Sequence, residues 1–142
     1  MERGGLIVAL ALCACRPDAA ADRDELQRAI DADEAVSQVF QEALQAEKAA
    51  DGGAAVDILK RSGEPAAKQA SDAAAALAPR SAWGRAQRDA LVALERDRSD
   101  ELAKYETALA AKDDDATVAS LERQIALEKR AKALWDEIHR GP

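Results

Sequence analysis

Apolar positions along this chain recur at helical spacing, and no stretch shows the alternation of a strand. Leu26, Ile30, Val36, Phe40 and Leu44 form one such stripe, interrupted at Asp33. Asp22 and Glu25 stand at capping-box spacing, and acid in a first turn suits the positive end of the helix dipole, so the first helix is expected to start near Asp22. Asp51-Gly52-Gly53 ends it. A second helix is expected over about residues 54–78, although Gly63 and Pro65 would normally break one. Val56, Leu59, Gly63, Ala66, Ala70, Ala73 and Leu77 keep their phase straight through the proline, which predicts one kinked helix and leaves its continuity at Pro65 as the open question.

Ala78-Pro79-Arg80-Ser81 makes the next turn, with Ser81 as candidate N-cap. Trp83, Leu91, Leu94, Leu102, Tyr105 and Leu109 mark the third helix, whose stripe Arg98 interrupts. Lys112-Asp113-Asp114-Asp115 closes it and opens the fourth. There Val118, Leu121, Ile125, Leu127, Leu134, Trp135 and Ile138 cover an arc of roughly 200°, wide enough to touch two neighbours. Arg140-Gly141-Pro142 is a helix-ending sequence. Short turns between four long helices predict an all-α fold, an up-down-up-down four-helix bundle over residues 22–140. An extended helical hairpin or coiled coil is the alternative, disfavoured because no strict heptad repeat persists.

Composition refines this picture. The 142 residues suit one domain, and much of the 48% hydrophobic content is alanine, so the core should be thin. The net charge of −7 argues against a nucleic-acid partner, which needs a basic face, and against electrostatic attraction to anionic lipid headgroups.

The N-terminus departs from the helical pattern. Residues 6–14 are an uncharged apolar run of nine, preceded by Arg3. Nine residues are too few to span a hydrocarbon core, which needs about 20, but they suit the apolar segment of a signal peptide. Leu12-Cys13-Ala14-Cys15 follows, and it resembles the lipobox of bacterial lipoproteins. Cys13 fits the modified position poorly, because Leu12 would then occupy the place of a small residue. The resemblance implies a signal peptide over 1–14, cleavage before Cys15, a diacylglyceryl group on the Cys15 thiol, and acylation (palmitate, for example) of the new amine. Residues 15–21 would be a tether. Two or more acyl chains anchor stably where one does not. With a net charge of −7 behind them, the acyl chains would hold the membrane alone. Arg16, rather than Asp, after the cysteine favours the outer membrane, facing the periplasm, in a Gram-negative cell. Cys15 would then be the last cysteine left, so the folded part holds by packing alone.

No residue set points to catalysis. His139 is the only histidine. Its place late in the fourth helix is similar to that of the haem ligand in periplasmic four-helix cytochromes, but the partner methionine is missing: Met1 is the only one. One histidine also excludes the repeated Glu-x-x-His of di-iron bundles. Asp113-Asp114-Asp115 lacks the spacing of a calcium loop and reads as a solvated cap. Arg85–Asp89, Arg96–Asp100, Glu128–Lys132 and Asp136–Arg140 are candidate i,i+4 ion pairs. Trp83 and Trp135 should lie at the same end, packed in the core. The expectation is therefore a non-enzymatic envelope lipoprotein without cofactor or metal, held to a membrane through Cys15, with another envelope protein as partner or a spacer role. A periplasmic small-ligand-binding or chaperone-like module is the alternative.

Overall fold

The computed structural model describes residues 16–142, with side-chain surroundings from Asp18 onward. Cys15 and the apolar run before it lie outside the described residues. All regular structure among the described residues is helical.

Helix α1 (Arg16–Lys48) begins six residues before the expected start, so residues 16–21, read from sequence as a tether, are helical. The local chemistry explains this. Pro17 falls in the first turn, where an amide proton would have no partner, and Asp18 faces the positive dipole end. Ala19 is already buried against the bundle. Asp22 is therefore not the cap of its own helix. Ala50, at φ 60°, turns the chain, and Asp51 caps the next helix, its Oδ1 accepting from the Ala54 amide at 2.9 Å.

Helix α2 (Gly52–Ile58), a π-turn (Leu59–Gly63) and α3 (Glu64–Ala76) form one uninterrupted run. Pro65 has no amide proton, and its ring would crowd the carbonyl four residues earlier. Widening the preceding turn answers both problems: the Glu64 amide donates to the Leu59 carbonyl, five residues back. Ser81 caps α4 (Ala82–Ala111), its Oγ accepting from the Gly84 amide at 2.8 Å. Lys112 ends that helix in the left-handed conformation, and Asp113 caps α5 (Asp114–Arg140), accepting from the Ala116 amide at 3.0 Å. Gly141, at φ 73°, closes the last turn.

The four helical runs pack against one another. Their core falls into two parts. One contains Leu26, Ile30, Leu91, Leu94, Leu134 and Ile138, with Trp83 and Trp135 packed against it. The other contains Val36, Phe40, Leu59, Leu102 and Tyr105, with the Phe40 and Tyr105 rings meeting edge-on at 5.9 Å. Alanines at 29, 43, 67, 70, 74 and 131 fill the rest, which makes the core as thin as the composition implied. Among the described residues, the members of the two core parts run from Leu26 to Ile138. Among the described residues, no helix is long and apolar enough to cross a membrane.

Candidate functional site

Between the two core parts lies a layer of buried charge. On α1, Asp33 sits between Ile30 and Val36; on α4, Arg98 sits between Leu94 and Leu102. These are the two residues that broke the apolar stripes in the sequence, and they are each other's partners. Both side chains are 0% exposed, and Arg98 Nη1 donates to Asp33 Oδ1. Arg98 Nη2 donates to Ser37 Oγ at 2.8 Å and to Glu128 Oε1 at 2.6 Å. Ser37 donates in turn to Glu128 Oε2 at 2.7 Å, and Trp135 Nε1 donates to Asp33 Oδ2 at 2.8 Å. One guanidinium thus ties α1, α4 and α5 together at mid-bundle.

Glu95, one turn before Arg98 and 2% exposed, completes the layer. Burial, then the charge of Asp33 and a hydrogen bond to it, push its carboxyl up to about 8, against an attraction from Arg98. At neutral pH it carries a proton that Asp33 accepts. The layer then holds two carboxylates around one guanidinium, rather than three, which suits a site where unpaired charge is costly. Gln124, also 0% exposed, lies one turn before Glu128 on α5; its amide, Glu95 Oε2 and Arg98 Nε have no partner among the described residues.

A second polar construction closes the end of the bundle near the start of α1. Asp22 Oδ1 accepts from the Arg80 amide at 2.9 Å, and its Oδ2 accepts from the Ser81 amide at 2.8 Å and the Ser81 hydroxyl at 2.5 Å. Desolvation raises the Asp22 pKa, but these donors outweigh it and hold the carboxyl below its ordinary value. Asp22 therefore helps cap α4 across the bundle, a role that its distance in sequence from Ser81 concealed. Gly84 permits this approach, since a Cβ there would stand 2.4 Å from Asp22 Oδ2 and 2.8 Å from Pro79 Cβ. Beside this staple, Arg23, Arg80, Arg140 and Trp83 line an open cleft of about 730 Å³.

The remaining sequence candidates are dispersed. His139 is exposed, with Nδ1 2.7 Å from its own helix's Trp135 carbonyl. Asp113 caps α5, and Asp114 and Asp115 are solvated in its first turn. Among the described residues, no group of three or more His, Cys, Asp or Glu is placed to hold a metal. The chain matches no protein-family model, no curated protein and no solved structure.

None of the four expected i,i+4 ion pairs forms. Arg96 turns to its neighbour Asp97, which also takes Arg130 from α5, and Arg140 Nε donates to the Asp136 carbonyl instead of its carboxylate. Glu128 points inward to Arg98. A contact to a buried guanidinium outweighs a solvated surface pair, whose energy is a few tenths of a kcal/mol. Both tryptophans pack against the same core part, as expected from helix order.

Proposed function

We propose that this protein is a bacterial envelope lipoprotein, acylated on Cys15, whose folded part is an up-down-up-down four-helix bundle that acts by binding an envelope protein or as a spacer, not by catalysis. The observation that carries the reading is Leu12-Cys13-Ala14-Cys15 behind an apolar run. Arg16 favours the outer membrane.

The order of side-chain contacts supports the up-down-up-down arrangement. Gln87, Asp97 and Glu101 along α4 meet Glu137, Arg130 and Arg123 along α5, in opposite order. Val39 of α1 lies beside Gly63, whereas the earlier Asp22 meets the later Ser81. The non-enzymatic reading rests on the sequence, in which the single histidine, His139, has no set of residues at catalytic spacing around it.

The test is palmitate labelling and intact mass in a Gram-negative host, on the wild type and Cys15→Ala. Labelled wild type with the mass of a lipid-modified chain starting at Cys15, and an unlabelled variant, are expected. Unlabelled wild type, or label surviving in the variant, overturns the reading.

A further inference from the structure

The cleft at the α1 end draws three arginines from three parts of the chain. Arg23 comes from α1, Arg80 from the α3–α4 turn and Arg140 from the end of α5. All three are exposed, and none has an ion-pair partner among the described residues. Arg23 lies against Gly141, its Cδ and Nη1 each 3.9 Å from where a Cβ would stand, which brings it beside Arg140. Asp22 fixes the backbone of Arg80 and Ser81 and so presents the third arginine and the half-buried Trp83 from a rigid turn. Among the described residues, Asp18 is the one acidic side chain lining the cleft. The opposite end of the bundle carries Asp51 and the run Asp113-Asp114-Asp115, all exposed. The chain is acidic overall, yet this one cleft presents three guanidiniums beside a tryptophan.

We infer that this cleft docks the phosphates of anionic phospholipids in the membrane surface to which Cys15 is tethered. The inference rests on the reading of Cys15 as the anchored residue. Two features select this occupant. The cleft is lined from Asp18 onward, three residues after Cys15 in the sequence, so an anchor at Cys15 would hold it close to the surface that the acyl chains enter. Its chemistry fits that surface, because guanidinium pairs with phosphate through parallel N–H bonds and tryptophan favours the membrane–water interface. With a net charge of −7, the domain as a whole is repelled by such a surface. The cleft therefore sets orientation, arginines down and Asp113-Asp114-Asp115 outward, while the acyl chains supply affinity. Three arginines near an anionic surface bias that orientation on the order of a hundredfold.

The test couples residues 15–142 through the Cys15 thiol, the only one in that span, to a maleimide lipid in nanodiscs. Attachment then does not depend on how a cell treats Cys15, so failure here is distinct from failure of the lipoprotein reading. Nanodiscs of phosphatidylcholine alone, or with phosphatidylglycerol, carry a spin-labelled headgroup, and broadening of backbone amides is recorded. Phosphatidylglycerol should broaden residues 80–84 and 139–141 at least about twofold more than phosphatidylcholine does, and leave 113–116 sharp. Arg23→Gln/Arg80→Gln/Arg140→Gln should abolish the difference, and Lys48→Gln/Lys60→Gln/Lys112→Gln should keep it. Equal broadening in both lipids, broadening at the aspartate end, or an unaffected arginine variant overturns the inference.

Discussion

Replacing Arg98 with methionine should be the most damaging single change in this bundle. Methionine fills similar apolar space but removes the donors to Asp33, Ser37 and Glu128. Glu128, 21% exposed, can turn back to water; Asp33, 0% exposed, cannot. It would remain as a buried carboxylate supported by Trp135 Nε1 and the Glu95 proton. Breaking a buried pair from one side costs about 3–5 kcal/mol, a large part of the roughly 5–15 kcal/mol that holds a domain folded. The melting temperature should fall by roughly 10–20 °C. Urea unfolding followed by circular dichroism measures the loss as a lower midpoint at unchanged slope. Asp33→Asn/Arg98→Met should recover most of it, because the amide oxygen can still accept from Trp135 and no charge stays buried. A single variant within about 1 kcal/mol of wild type, or a double variant as weak as the sum of the singles, would refute the account.

Two further outcomes can be checked by the same unfolding measurements. Because the Glu95 carboxyl is raised in the folded state, the folded protein binds more protons than the unfolded one between pH 4.5 and about 8. Its stability should fall as pH rises through that window, and Glu95→Gln should remove the slope; a slope that persists in the variant refutes the assignment. Asp22, Asp97 and Glu101, held low by their donors, act in the opposite sense, and their stabilisation is lost only at acid pH. Gly84→Ala should cost about 1–3 kcal/mol, because its Cβ collides with Asp22 and Pro79, whereas Gly63→Ala, whose nearest neighbours stand at 3.6 Å, should gain up to about 1 kcal/mol. Equal signs for the two would contradict the packing described.

The helices were legible because their apolar stripes and turn residues agree, and the phase kept through Pro65 did mean one helical run. The π-turn was not, since it leaves no residue signature beyond the proline that it serves. The start of α1 was placed late because Asp22 and Glu25 imitate a capping box, whereas Asp22 spends its oxygens on Arg80 and Ser81. The charged layer left a visible trace in the sequence, two polar residues interrupting two apolar stripes, but pairing across 65 residues needs the helix order first. Helical spacing alone pairs Glu128 with Lys132 at the surface, because it cannot tell a solvated acid from one that faces a buried arginine.

Alanine gives this bundle a particular weakness. Along much of the contact surface, one layer of small side chains resembles the next, so a helix displaced by one turn, about 5.4 Å, would trade alanine for alanine at little cost. Arg98 removes that degeneracy. Displace α1 by a turn and the guanidinium faces Ala29 or Ser37 in place of Asp33, keeping Glu128 on α5 but losing its fully buried partner. The Asp22 staple does the same for the α3–α4 turn. The polar residues thus act as keys cut to a single axial position, and they let a sequence too plain to index itself by shape settle on one alignment of its helices.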